Sequence, residues 1–217
     1  MSTREREIMS PAGGRCRVAR ALAVGLLLVV AGCGDGPTLD RLGDDAVILA
    51  FGDSLTHGTG ADPDESYPAV LERRIGRKVV NAGEPGELSA EGLRRLPRVL
   101  DRVQPDLLIL CHGGNDILRN GKPARAAENL LAMVGMARDR GIEVLLVGVP
   151  ERTLMFHDTA DLYHDVAEQA GVPLEDGAIA DIVGDNALKS DAVHPNAAGY
   201  RKLAIAIEER LREAGAL

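Results

Sequence analysis

Aromatic side chains are almost missing from this 217-residue chain, which has no tryptophan, three tyrosines and two phenylalanines. Stacking platforms for nucleic-acid bases or sugar rings therefore have little to be built from. An excess of positive charge is missing too: the formal net charge of −8 leaves no basic footprint for nucleic acid. Long apolar runs are also lacking. The longest, "ALAVGLLLVVA" at residues 21–31, falls well short of the ~20 residues that span a bilayer. No internal repeat or low-complexity tract suggests a second folded domain, and the length suits one α/β domain with a sizeable core built from Leu, Val, Ile and Ala.

The short apolar run has its own meaning. Arg15, Arg17 and Arg20 precede it and small residues follow it, which is the pattern of a secretory signal. Its exit, "VAGC" at residues 30–33, resembles the lipobox of bacterial lipoproteins, in which Cys33 would be lipidated and become the new N-terminus. An ordinary cleaved signal with an incidental cysteine is the plainer alternative. The expected organisation is a signal peptide at 1–32, a polar, glycine-rich tether at 33–45 and a catalytic domain at 46–217. Residues 1–32 carry five arginines and two glutamates, so their removal leaves a more acidic body. Acyl chains on Cys33 would anchor that body without a transmembrane helix. Gly34 after the cysteine favours the periplasmic face of an outer membrane. Cys16 leaves with the signal, Cys33 carries lipid, and Cys111 remains alone, so no intramolecular disulfide is expected. Cys111 ends an apolar strand and reads as a small packed hydrophobe.

From residue 46 the pattern alternates between strand and helix. "AVILAFG" (46–52), "KVVNAG" (78–83), "DLLILC" (106–111), "IEVLLVGVP" (142–150) and a weaker "VPLED" (172–176) read as strands. Helical spacing covers 66–75, 89–103, 123–141, 158–170 and 197–215, with Ser89 as an N-cap and Pro97 as a kink. Such alternation predicts a parallel sheet covered on both faces by helices, a three-layer α/β/α sandwich with five strands. Reacting groups in such folds sit beyond the carboxyl ends of the strands. The polar clusters fall there: Gly52-Asp53-Ser54 after the first strand, residues 81–86 after the second, and residues 113–116 after the third.

A serine hydroxyl is a weak nucleophile at neutral pH, so it needs an adjacent base whose tautomer is held by a third group. Ser54 has candidates for both in "SDAVHPNAAGY" (190–200), where Asp191 stands three residues before His194. Acyl transfer further needs donors for the developing oxyanion. The Asn115 amide, the backbone N–H groups of Gly83 and Gly86, and the N–H of Ser54 itself are the candidates. Asp53 and Asp116 read as structural acceptors for backbone around their loops, and His112 as a residue of the pocket mouth. His57, His157 and His164 have no spacing that would build a metal site.

Four separated blocks together resemble the SGNH hydrolases, also called the GDSL family, over most of residues 46–215. They are "GDSL" (52–55), "NAGEPGE" (81–87), "GGND" (113–116) and "DAVH" (191–194). The resemblance implies a flavodoxin-like α/β/α fold, Ser54 as nucleophile, Asp191 and His194 as its partners, and an oxyanion hole from Ser54, Gly86 and Asn115. It implies no metal and no organic cofactor. "SYPAVL", "VVNAG", "EGLRRLP" and "GGNDILR" look most like the small bacterial arylesterase, acyl-CoA thioesterase and lysophospholipase branch. That implies hydrolysis of small acyl esters, with thioesters as a further substrate class; the sequence leaves the oligomeric state open, with a monomer as the expectation. Two departures stand out. Pro85 stands where many relatives carry a small polar residue, and 148–190, which helps shape the acyl pocket in relatives, shows no clear match to them. Two rival readings use the same residues: an O-acetyl esterase acting on envelope polysaccharide or peptidoglycan, and a non-catalytic binding lipoprotein that keeps the fold.

Overall fold

The computed structural model describes residues 36–151 and 158–217. Two units make up the chain, Met1–Gly34 and Asp35–Leu217, and the α/β architecture belongs to the second. The expected signal segment, Cys33 and His157 lie outside the described residues. Among the described residues no helix is long and apolar enough to cross a membrane.

Five strands form one parallel sheet: β1 Val47–Gly52, β2 Lys78–Gly83, β3 Leu107–Cys111, β4 Glu143–Val147 and β5 Leu174–Glu175. Their order is β2-β1-β3-β4-β5. The helices are α1 Ser54–His57, α2 Tyr67–Ile75, α3 Ser89–Val103, α4 Gly114–Leu118, α5 Pro123–Arg138, α6 Asp161–Ala170, α7 Ala178–Gly184 and α8 Ala197–Glu213. Helices α2 and α7 pack with α8, while α3 and α6 pack with α5. These two sets flank the sheet as the alternation predicts.

Hydrophobicity without alternation is what a doubly covered strand requires. Every residue of β3 is buried, as is β1 from Ile48 onward, and Cys111 is a buried free thiol within that core. The register sets the ends of the central strands level, with Gly52 opposite both Gly83 and Cys111. The connections after β1, β2 and β3 therefore emerge on one edge. After β1 the chain pairs first to one side and then to the other, and the crevice created where a parallel sheet reverses its order lies between β1 and β3.

The structure departs from the sequence reading in four places. Residues 172–176 contribute a strand of two residues only, because Gly177 at φ 98° turns the chain into α7. Helices α1, α4 and α7, of 4, 5 and 7 residues, are too short to show a period. Ser89 is the first residue of α3 rather than its cap, and its hydroxyl bonds the Asp116 carboxylate at 2.9 Å. Pro97, the expected kink, lies within α3. The described part of the tether is docked onto the domain from Leu39 onward. Leu39 and Leu42 are buried, and their N–H groups bond the carbonyls of Ala214 and Ala216. Arg77 closes the segment by donating to the carbonyls of Leu42 and Gly43.

One buried acid is poorly served. Glu175 is 5% exposed, and while its Oε1 accepts the Ala178 N–H at the start of α7, its Oε2 has no partner. Burial, abetted by Asp176 and Asp181 and opposed by the Ala178 N–H and Lys202, pushes its carboxyl from 4.5 up to about 7. The folded state thus favours the protonated acid. The stability this group allows is complete below pH 4.5 and is lost as the pH rises through about 7. Thermal denaturation of Glu175→Gln against wild type should show the variant gaining on wild type by about 2 kcal/mol between pH 5 and pH 8. Parallel curves would mean that Glu175 ionises freely.

Candidate active site

Ser54 stands where β1 turns into α1. Asp53 is the N-cap, its Oδ1 accepting the Leu55 N–H at 3.1 Å, so the serine hydroxyl is not consumed as a cap. Gly52 allows the tight approach behind it: a Cβ there would lie 1.9 Å from the Cys111 carbonyl oxygen. Helix α1 then ends at Gly58, in the left-handed region at φ 98°, where a Cβ would meet that of Ser66.

The histidine arrives from the other end of the chain. Asp191 Oδ1 accepts the N–H groups of Val193 and His194 at 2.9 Å each, which curls residues 191–194 into a tight turn. The other oxygen, Oδ2, lies 2.7 Å from His194 Nδ1, and His194 Nε2 lies 2.9 Å from Ser54 Oγ. The two ring nitrogens therefore face different partners. With the ring proton on Nδ1 donated to Asp191, Nε2 is the acceptor that faces the serine hydroxyl. Burial opposes ionisation of Asp191, but the His194 ring and the two backbone N–H groups outweigh it and hold the carboxyl at about 2. The turn is itself fixed by Asn196, which caps α8 through Ala198 and Gly199 and donates to the Ala187 carbonyl.

Two further groups line the same cleft as the serine. Gly86 sits at φ 81°, a left-handed conformation suited to glycine, and its N–H has no hydrogen-bond partner among the described residues. Its carbonyl accepts from Arg119 at 3.0 Å. Asn115, in α4, aims its amide nitrogen at the Glu87 carbonyl (3.1 Å) and, at the longer distance of 3.3 Å, at Asp53 Oδ2. Gly83 does not belong with them. Its N–H is taken by Asn81 Oδ1 at 3.0 Å, and its missing side chain makes room for the backbone of His57.

Asp53 and Asp116 are structural acceptors, as expected. Asp116 receives both the N–H and the hydroxyl of Ser89, tying α4 to α3. Burial raises the Asp53 carboxyl above the usual aspartate range, partly offset by the nearby His112 ring, the Leu55 N–H and the His194 ring. His112, expected at the pocket mouth, is instead fully buried, because it continues a strand covered on both faces. Its Nε2 lies 3.0 Å from Glu87 Oε2. Glu87 and Arg95 escaped the sequence reading; the acid directly after Gly86, eight residues before an arginine on a helix that starts at 89, was the available signal. Among the described residues no cluster of three His, Cys, Asp or Glu could hold a metal.

A cleft of about 230 Å³ opens over Ser54, between Gly86, Asn115 and His194. Asp53 and Thr59 also line it, but most of its other walls are aliphatic, among them Leu55, Ile117, Val149, Pro150, Ile179 and Val183. Ile179 and Val183 are one turn apart on α7, so this short helix forms a wall. A largely apolar cleft that also holds a hydroxyl, an imidazole and an amide suits an acyl chain.

Known families and solved structures include relatives of this chain. The model of the GDSL-like Lipase/Acylhydrolase family matches residues 50–202. The chain is 31% identical over 186 residues to esterase TesA of Pseudomonas aeruginosa, covering 81% of this chain and 92% of that protein. It is 30% identical over 156 residues to thioesterase 1/protease 1/lysophospholipase L1 of Escherichia coli, covering 69% and 75%. Among solved structures, AlinE4, an SGNH-hydrolase family esterase, is similar with a TM-score of 0.60 and 34% identity, over 82% of this chain and all of that one. A strand-end serine bonded to a histidine from the far end of the domain, the fold that brings them together and these relatives lead to one conclusion: the chain belongs to the GDSL, or SGNH, family of ester hydrolases.

Proposed function

We propose that Ser54, His194 and Asp191 are the catalytic triad of this esterase, and that the N–H groups of Ser54 and Gly86 and the Asn115 amide form its oxyanion hole. The observation that carries the assignment is the pair of contacts at 2.9 Å and 2.7 Å that joins Ser54 to Asp191 through the two nitrogens of His194. His194 takes the hydroxyl proton as Ser54 attacks the ester carbonyl, then returns it to the leaving alkoxide. Water repeats the cycle on the acyl-enzyme. Asp191 holds the ring in the tautomer that leaves Nε2 free, and stays ionised across the working pH range because its carboxyl lies at about 2. As charge moves onto the carbonyl oxygen, that oxygen takes over the Asn115 hydrogen now spent on the longer contact to Asp53.

The substrates in this reading are small carboxylic esters and, by the same chemistry, acyl thioesters. The aliphatic cleft supports an acyl chain over an acetylated sugar, since it offers no aromatic platform and few polar groups away from Ser54. The address in this reading is the cell envelope, with Cys33 lipidated and the domain held at the periplasmic face of an outer membrane; the lipobox-like "VAGC" supports it.

Ser54→Ala should lose turnover of p-nitrophenyl butyrate by at least ~10³-fold while its melting temperature stays near that of wild type. Activity close to wild type would remove Ser54 from the mechanism. A second expectation concerns the cleft. Val183→Phe, placed on the α7 wall, should lower kcat/KM for p-nitrophenyl hexanoate about tenfold relative to the acetate ester, because the added ring competes with the distal part of the longer chain. An unchanged ratio across the ester series would place the acyl chain elsewhere.

A further inference from the structure

His112 and Glu87 take no part in the chemistry just described, yet both are held tightly beside it. A fully buried imidazole is costly unless its ring nitrogens are satisfied. In this site both are. His112 Nδ1 accepts the Gly113 N–H at 2.9 Å, which leaves the ring proton on Nε2, and Nε2 donates it to Glu87 Oε2 at 3.0 Å. The ring has room because residue 92 on α3 is glycine; a Cβ there would lie 2.3 Å from Nε2. The His112 carbonyl is fixed as well, by the Tyr163 hydroxyl at 2.8 Å.

Glu87 is gripped from a second side. Arg95 reaches its two carboxylate oxygens at 2.8 and 2.6 Å in a bidentate pair. The same guanidinium donates to the carbonyls of Ala82 and Gly52 and lies 4.1 Å above the Phe51 ring. The position of Glu87 is thus referred to the ends of β1 and β2, the edge from which Ser54 emerges. Burial resists a charge at Glu87, but the bonds from His112 and Arg95 outweigh it and hold the carboxyl at about 2.

What this grip controls is visible in the backbone. The peptide between Gly86 and Glu87 is one flank of the loop that presents the Gly86 N–H. The Glu87 carbonyl is the acceptor that orients the Asn115 amide at 3.1 Å. We propose that Glu87 and His112 are positioning residues for the oxyanion hole, fixing the Gly86 N–H and the Asn115 amide together. The inference rests on the reading of Gly86 and Asn115 as oxyanion donors. An apolar side chain in place of His112 could fill the same volume without the cost of burying polar groups. The polar pair instead links the Gly113 N–H, at the start of α4, to Glu87, whose own peptide follows Gly86 and whose carbonyl holds the Asn115 amide. Preorganised donors of this kind act on the transition state and hardly on the substrate.

The test is kinetic. Glu87→Gln keeps the shape of the side chain and loses its charge; His112→Leu keeps volume and loses the bond; His112→Gln keeps a donor. With p-nitrophenyl butyrate, Glu87→Gln and His112→Leu should lower kcat by roughly 10- to 100-fold with KM within about twofold, and His112→Gln should recover most of that loss. A trifluoromethyl ketone, which forms a tetrahedral adduct, should weaken as an inhibitor by the same factor as kcat falls. Unchanged kcat with a lowered melting temperature would overturn the proposal, as would a rise in KM with kcat intact. Should His112→Leu fail to fold, the near-isosteric Glu87→Gln decides alone. Ser54→Ala separates this inference from its parent: an active Ser54→Ala removes the parent reading, whereas an inactive one beside a fully active Glu87→Gln removes only this one.

Discussion

The hydrogen bond between Ser54 and His194 joins positions 140 residues apart, and most of the fold serves to close that distance to 2.9 Å. One hydrogen bond in a solvated cleft contributes about 1 kcal/mol and cannot hold two loops together. The loops are instead brought together by packing around it. Gly60 and residues 190–195 approach so closely that a Cβ on Gly60 would meet Ser190 Oγ at 2.1 Å. The Tyr200 hydroxyl, on the buried face of α8, donates to the Thr59 carbonyl at 2.8 Å and ties the last helix to the loop that follows Ser54. Helix α8 is in turn packed on α2, so the histidine loop is referred to the same framework as the nucleophile.

The opposite side of the cleft obeys the same constraint by electrostatic means. The level ends of β1, β2 and β3 expose the carbonyls of Gly52 and Ala82, and Arg95 gathers both together with the Glu87 carboxylate. The Glu87–Arg95 pair lies outside the lining of the cleft, most of whose wall residues are aliphatic. The full charges of Glu87 and Arg95 lie behind the loop, where they fix its geometry.

Much of this was legible in the residues. Continuous apolar strands bounded by glycine and charge gave the parallel sheet, and β2 and α3 begin and end where their patterns do. Ser54, Asn115, Asp191 and His194 stand out in the sequence as chemistry-bearing types beside strand ends or in the loop before the last helix, and the family resemblance alone picks Gly86 over Gly83. What could not be read depends on tertiary contact. Helices α1, α4 and α7 span less than two turns or barely reach them, too little for an apolar period, and α1 is set by the Asp53 cap that only the folded turn supplies. His112 follows a strand buried on both faces, so no alternation tells inside from outside; the space left by Gly92 decides it. Leu39 and Leu42 are two apolar residues among polar ones, and their burial against the end of α8 has no local signal.

The measurement that tests the central claim most directly is covalent labelling of the purified protein with a fluorophosphonate, read by intact mass and peptide mapping. One adduct per chain, on Ser54, is the expected result, because among the serine hydroxyls of the described residues that one is aligned with an imidazole held by a carboxylate. An adduct on another residue, or none from folded protein, would contradict it.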